Sequence, residues 1–261
     1  MRSRFQFLLL LLICILNPLK AQKTKYEITY STGICKSEVL DERDNSIIYV
    51  NSGFQPFYLH LKVNYPKWVH QLSFYYINNT LTPLKESIYF RINSVASESG
   101  ELNYDLVRRI WQSENIKWTL FAGSGIHAFG AYRQRKSLYF YYPYEDKVTS
   151  YDVNAGSLQI ILNPVFKIKK HQFSVFAATG ILSYLTRPYY YNPLFNWNGN
   201  SWYLISIKKH INFQYLFDYK FDISNRFSTG IEYRCLYYKY SFPYELKSLT
   251  QNYLIGLTFK F

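Results

Sequence analysis

The sequence is poor in cysteine, in acidic residues and in long apolar runs, and each shortage narrows the class of protein. Three cysteines among 261 residues are too few for a disulfide-stapled miniprotein. After the N-terminus no apolar run reaches about 18 residues, which disfavours a helical membrane protein. By contrast, Phe, Trp and Tyr make up 20% of the chain, and this abundance excludes a disordered protein.

The first 21 residues have the organisation of an export signal. Arg2 and Arg4 precede an apolar stretch over 5–16, and the small residue Ala21 offers a cleavage site. The stretch is too short to cross about 30 Å of hydrocarbon as a helix. Gln22 is not cysteine, so a lipoprotein anchor is not indicated. The sequence therefore predicts a signal peptide over 1–21, cleaved near Ala21, and a single exported domain over 22–261.

The charge is strongly positive, because 17 acidic residues face 30 Lys and Arg and leave a formal charge of +13. Cleavage after Ala21 removes Arg2, Arg4 and Lys20 and lowers this charge to +10. Export separates the chain from cytoplasmic nucleic acid, and the basic residues are scattered along the sequence. We therefore expect no nucleic-acid partner.

The exported chain alternates apolar and polar residues with a period of two. Between 211 and 222, and again between 57 and 65, aromatic and aliphatic residues occupy every second position. Successive side chains of a strand point to opposite faces, so each segment has one apolar and one polar face. We predict strands over 23–34, 56–65, 68–77, 102–111, 116–130, 152–166, 172–185, 203–221, 227–240 and 252–261.

The connections between these ten segments alternate in length. Short ones are 66–67, 112–115, 167–171 and 222–226, and long ones are 35–55, 78–101, 131–151, 186–202 and 241–251. Bacterial outer-membrane barrels have short periplasmic turns and long extracellular loops. The pattern predicts an all-β fold, a closed antiparallel transmembrane β-barrel of ten strands. Eight or twelve strands are the alternatives, since 88–92 reads as a further strand.

These features resemble small outer-membrane β-barrel proteins of Gram-negative bacteria. The resemblance rests on the signal ending Lys20-Ala21-Gln22, the alternating gaps and the last strand, and it points to no functional subfamily. It implies an outer-membrane location in contact with lipid and lipopolysaccharide. It also implies that the last strand is the signal read by the barrel-assembly machinery, through Tyr253, Ile255, Leu257, Phe259 and Phe261. A secreted β-sandwich or lipocalin-like barrel is the alternative fold.

The polar faces of the predicted strands bring both charge signs into the lumen. The predicted polar network comprises Glu27, His60, Lys62, Asp218, Lys220, Glu232 and Arg234. Opposite charges on the adjacent strands 203–221 and 227–240 can pair. Barrels of about eight strands are filled by their side chains. We therefore expect a filled lumen that supports a structural or partner-binding accessory subunit, and a narrow pore for small polar solutes is the alternative.

A membrane-embedded hydrolase is the second alternative, and its one candidate base is His127. Ser124 lies three residues earlier and so points to the opposite face, whereas a nucleophile and its base must share a hydrogen bond. No spacing of His, Cys and carboxylates indicates a metal site, and no phosphate-binding glycine loop occurs. We expect no catalytic residue, no metal and no cofactor. Cys35 and Cys235 are not expected to form a disulfide.

Two predicted loops have unusual compositions. Arg133, Arg135 and Lys136 open the third long loop, where cations can contact anionic lipopolysaccharide phosphates or remain solvated. The fourth loop is aromatic, a composition suited to a partner, a ligand or the membrane interface. Its candidate residues are Tyr189, Tyr190, Tyr191, Phe195, Trp197 and Trp202.

Overall fold

A computed structural model describes residues 25–41, 48–54, 56–83, 91–115, 117–138, 147–188, 200–206, 210–241 and 245–261. The strands are β1 Lys25–Asp41, β2 Ile48–Phe54, β3 Phe57–Asn64, β4 Trp68–Pro83, β5 Arg91–Gln112, β6 Trp118–Leu138, β7 Lys147–Ile168, β8 His171–Pro188, β9 Asn200–Ser206, β10 His210–Asp222, β11 Phe227–Tyr240 and β12 Leu246–Lys260. Among the described residues, a helix of the length and apolarity needed to cross a membrane does not occur.

The strands form a closed antiparallel ring. From β1 the pairing runs through β3, β4, β5, β6, β7, β8, β10, β11 and β12 and returns to β1. β2 also pairs with β1 and β4, and β9 pairs with β8, so twelve segments fill ten positions of the ring. Pro56, which has no N–H for the ladder, lies between β2 and β3. The predicted closed barrel is confirmed.

The register shifts as the ladder is followed around the ring. From Lys25 the paired residues lead back to β1 at Ser37, twelve residues farther along. The partners on the way are Asn64, Val69, Val107, Gly123, Ile161, Ala178, Gln214, Leu236 and Thr250. A closed barrel with such a stagger has strands tilted by roughly 35–45° to its axis. The tilt brings side chains from distant strands to one height in the lumen.

The two ends of the ring differ. Short turns at 65–67, 113–117, 169–170 and 223–226 mark what we call the short-turn end, and the other end is the long-loop end. Several strands are longer than predicted, up to 22 residues in β5 and β7. About 9–11 residues suffice to cross a bilayer. The wall therefore continues past the bilayer.

The extra strand length corrects the predicted loops. Much of 35–55, 78–101, 131–151 and 241–251 is strand, and Arg91 and Ile92 belong to β5, whereas 88–90 lie outside the described residues. The outward residues there are polar, for example Lys36, Asn78 and Glu98. Beyond the hydrocarbon a strand needs no apolar outer face, so the alternation that predicts the lipid-facing part ends before the strand does.

Strand β5 carries a bulge near the short-turn end. The β5–β6 register shifts between Arg109 and Trp111, so Ile110 and Trp111 are both exposed on the outer wall. Arg108 also faces outward, and its guanidinium lies 5.5 Å from the centre of the Trp68 ring. At a membrane interface an arginine can cover an aromatic ring while its charge stays in water.

Candidate functional site

The inner face of β11 changes from charged to apolar between the short-turn end and the long-loop end. Its buried side chains are, in order, Ser228, Glu232, Arg234, Leu236, Tyr238 and Tyr240. Contacts made by these residues divide the lumen into three tiers, which we call the charged tier, the crossing layer and the apolar tier.

The charged tier lies nearest the short-turn end. Glu232 faces Asp218 directly across the β10–β11 ladder, an arrangement in which like charges repel. Lys220 Nζ lies 3.5 Å from Asp218 Oδ2 and offsets the repulsion. Ser31 donates a 2.8 Å hydrogen bond to Glu232, and Ser174 donates one of 3.3 Å to Asp218. The cation and the two hydroxyls thus solvate the paired carboxylates.

Three more residues of the predicted network lie on the same inner surface. Asn64 donates a 3.1 Å hydrogen bond to Glu27, and His60 and Lys62 line a cavity of about 50 Å³ together with Lys220. A water molecule needs roughly 10–15 Å³ of such space. The charged tier therefore has room for a few water molecules.

The crossing layer joins opposite walls of the barrel. Arg234 on β11 donates a 2.9 Å hydrogen bond to Glu101 on β5, and both side chains are about 5% exposed or less. The guanidinium also lies 5.0 Å from the ring centre of Tyr58 and 4.8 Å from that of Tyr75. Arg234 thus pairs across the lumen with Glu101 on β5.

His127 on β6 belongs to the same layer. Its Nε2 lies 3.0 Å from Tyr238 Oη and 3.5 Å from Glu101 Oε2. Asn212 Nδ2 lies 2.9 Å from His127 Nδ1 and donates to it. The imidazole is fully buried, whereas Ser124 is exposed on the outer wall. These two residues therefore cannot form a nucleophile–base pair.

The apolar tier lies on the long-loop side of the crossing layer. One cluster of buried apolar side chains meets there from seven strands: Val39, Leu81, Ala155, Leu185, Ile205, Leu236, Tyr238, Tyr240 and Leu246, with Phe129 packed against it. His210 stacks on Tyr240, with ring centres 4.2 Å apart. A second cavity, of about 20 Å³, lies between Glu101 and this cluster.

Sequence reasoning missed Glu101, His127 and Tyr238 as members of the lumen network. Glu101 falls at the end of a segment predicted as a loop, one residue before the predicted strand 102–111. Tyr238 shares its strand face with Arg234, so the alternation of β11 alone could have placed it in the lumen. Which residues meet across the lumen depends on the stagger of the ring, and alternation within a strand carries no information about it.

The predicted loop residues have different outcomes. Arg133, Arg135 and Lys136 pair with β7 as part of β6, so they do not open a loop. The first five residues of the aromatic set lie outside the described residues: Tyr189, Tyr190, Tyr191, Phe195 and Trp197. The backbone of Trp202 pairs with Thr186 as part of β9.

The thiols and carboxylates form no metal centre in the described part of the chain. There, no group of three or more His, Cys, Asp or Glu side chains could hold a metal ion. Cys35 is free and buried in the lumen, where Tyr75 Oη lies 3.8 Å from its Sγ. Cys235 is free and half-buried on the outward side of β11.

The last strand completes the ring. β12 pairs with both β1 and β11, and its outward side chains Tyr253, Ile255, Leu257 and Phe259 are exposed. Phe261 follows the strand and is 72% exposed. The apolar outer face of β12 therefore runs without a break to the short-turn end.

Comparison with solved structures finds matches at low sequence identity. Outer membrane protease OmpT from Escherichia coli matches with a TM-score of 0.55 at 8% identity, over 92% of this chain and 98% of that one. The translocator domain of autotransporter NalP from Neisseria meningitidis matches at 0.42 and 9%, over 100% and 97%. Ail of Yersinia pestis matches at 0.36 and 15%, over 90% and 98%. Neither a protein-family model nor a curated protein matches.

The ten-position ring is closed by backbone hydrogen bonds and has an exposed apolar outer wall and a largely polar interior. A sheet in hydrocarbon must close on itself, because lipid offers its backbone no hydrogen-bond partner. With the likeness to OmpT in fold, these features define the class. The protein has the fold of the outer-membrane β-barrel proteins of Gram-negative bacteria.

Proposed function

We propose that this protein is a non-conducting outer-membrane barrel with a structural or partner-binding role, as an accessory subunit. The observation that carries the proposal is the pair of stacked barriers in the lumen. The crossing layer ties β5 to β11 through Arg234 and Glu101, and the apolar tier follows directly behind it. The exported domain is 22–261, released by cleavage near Ala21.

The two barriers act on a solute in different ways. A solute must first displace a buried ion pair, and separating buried charges is costly. It must then pass the cluster that includes Leu236, Leu185 and Ile205, where an ion would lose much of its hydration. The cavities on the two sides of the crossing layer measure about 50 and 20 Å³. This supports a filled barrel over a narrow pore.

The wall beyond the bilayer offers a platform for a partner. Lys36 and Glu38 form a 3.1 Å ion pair on the outer face of β1, directly beyond the exposed apolar residue Ile34. Lys239 lies 3.4 Å from Glu245 at the same end. A rigid rim with polar outward side chains can present loops to a protein partner, and Arg133, Arg135 and Lys136 remain our candidates for lipopolysaccharide phosphates.

OmpT is named as a protease, so we also consider the hydrolase alternative for this chain. In this chain His127 is fully buried between the charged tier and the apolar tier. Ser157 and Ser183 bond to one another at 3.0 Å, and Asn212 links Ser157 to the His127 network. All of these groups are closed off from a substrate, so the geometry favours a structural role for them.

Single-channel conductance tests the proposal that the lumen is filled. We expect the purified protein to insert into planar bilayers without producing single-channel steps. Replacing both Leu236 and Tyr238 with serine removes the apolar side of the barrier and is expected to produce steps. Tyr237→Ser, on the outward face of the same strand, is the matched control and should remain silent. Reproducible steps from the unmodified barrel would refute the proposal.

The outer face of β12 is proposed as the assembly signal. Replacing Phe261 with aspartate places a charge at the end of the row that includes Phe259 and Leu257. We expect at least about a tenfold loss of folded barrel in outer-membrane fractions, because charge at an apolar recognition row is costly. The heat-sensitive gel mobility of the barrel measures this. Lys260→Gln, on the inner face, should leave the yield unchanged. Equal yields for both variants would contradict the assignment.

A further inference from the structure

A groove crosses the outer wall of β1, β3, β4 and β5 near the short-turn end. It has a volume of about 370 Å³, within the roughly 300–1,000 Å³ typical of ligand sites. Ile28, Leu61 and Leu72 are paired side by side across β1, β3 and β4 and line its middle. Tyr26 and Tyr104 line its sides. Aliphatic side chains are shorter than the aromatic ones, so the wall recedes between them.

The rings around the groove are held in place. His70 Nδ1 and Tyr104 Oη are hydrogen-bonded at 2.8 Å, and the Tyr65 ring packs edge-on against His70 at 5.4 Å. Toward the long-loop end, Phe57 packs edge-on against both Tyr30 and Phe74 at 5.5 and 6.0 Å. Because their partners fix these rings, the groove is formed before anything occupies it.

Two exposed cations lie at the short-turn end of the groove. Lys67 is in the turn before β4, and Arg108 is opposite Trp68. The backbone of Arg109 donates to Lys67 O at 2.8 Å, so the β3–β4 turn and the end of β5 lie side by side. Lys25 alternates with Tyr26 and so shares the lumen side of β1 with Glu27, which bonds inward to Asn64. Glu27 therefore does not face Lys67 and Arg108.

We propose that the groove binds an anionic phospholipid of the periplasmic leaflet, with an acyl chain along Leu61 and Leu72 and the phosphate against Lys67 and Arg108. The apolar groove then lies at the depth of hydrocarbon, and the two cations lie beside Trp68 at the depth of headgroups. Basic side chains at a membrane surface attract anionic lipid, and arginine pairs with phosphate by two parallel hydrogen bonds. The proposal rests on the short-turn end facing the periplasm.

Brominated lipids test the site through Trp68. The full exported chain, with the other tryptophans replaced by phenylalanine, is placed in phosphatidylcholine vesicles that contain brominated phosphatidylglycerol or brominated phosphatidylcholine. We expect phosphatidylglycerol to be favoured about threefold in quenching of Trp68. The ratio of the two lipids cancels any change in the intrinsic fluorescence of Trp68.

Two variants separate a bound lipid from general attraction. Replacing Lys67 and Arg108 with glutamine should lower the ratio to about one, whereas K169Q with K170Q removes the same charge at another turn and should leave it unchanged. Leu61→Phe fills the groove without altering charge and should also lower the ratio. Heat-sensitive gel mobility confirms that each variant is folded. A ratio near one in the parent chain, an equal fall in the K169Q/K170Q control, or an unchanged ratio in Leu61→Phe would overturn the proposal.

Discussion

Replacing Arg234 with methionine is expected to lower the free energy of unfolding by about 3–5 kcal/mol, because Glu101 is left as a buried charge without its partner. Methionine keeps an apolar side chain between Tyr58 and Tyr75, so the loss reports the charge more than the packing. Urea unfolding of the barrel in lipid vesicles measures the effect. His127 Nε2, 3.5 Å from the same carboxylate oxygen, remains in place in this variant, but its contact is longer than the 2.9 Å bond that is lost.

Two companion variants make this prediction specific. Arg108→Met applies the same substitution to an exposed arginine over Trp68 and should cost at most about 1 kcal/mol. The double variant E101Q/R234M removes both charges and should recover most of the stability lost in the single variant, since a buried pair is worth little net. If the single and double variants are equally destabilised, the cost lies in packing, and our interpretation of the crossing layer is wrong.

Gly123→Ala is expected to lower the free energy of unfolding by about 3 kcal/mol or to prevent folding. A Cβ atom at this position would lie 2.0 Å from Leu106 O and 2.7 Å from Val107 Cα. Both are backbone atoms of β5, so no side-chain rotation can relieve the contact. The loss of folded protein is measured by heat-sensitive gel mobility, and the stability of any folded fraction by urea unfolding.

Gly156→Ala is the matched control on the adjacent strand β7. Its added Cβ would find no atom closer than His127 O at 3.9 Å, which is ordinary contact. We expect a change of less than about 0.5 kcal/mol, as for a substitution away from special contacts. If both alanine variants lose the same free energy of unfolding, the close approach of β5 and β6 at Gly123 is not the cause of the loss.

Much of the fold could be predicted because alternation is local. Phe227 and Ile231 on one face of β11, and Glu232 and Arg234 on the other, assign a lipid side and a lumen side without knowledge of other strands. Alternation did not predict the strand ends that lie beyond the hydrocarbon, where the outer face of the barrel contacts water. Glu98 and Lys36 lie on strands that no longer need an apolar face, so those strand ends were predicted as loops.

The candidate site was less predictable than the fold. Glu232 and Asp218 face each other on adjacent strands. A predicted hairpin brings two such residues close together, and only the exact register has to come from the structure. Arg234 and Glu101 are 133 positions apart and lie on strands that do not pair. Their contact depends on the stagger of all ten positions of the ring, a property of the closed barrel as a whole.

The sequence by itself predicted a β-barrel with a polar interior, because a period of two fixes which side chains share a face and hydrocarbon requires a closed sheet. The tertiary structure decided which side chains meet in the interior. Closing the ring with a shift of twelve residues carries Glu101, His127 and Tyr238 to the height of Arg234. The apolar tier packs beyond that layer, and together they are the basis for the filled lumen that we propose. The positive charge of the chain also has a location in the fold, since Lys67 and Arg108 lie beside the groove at the short-turn end.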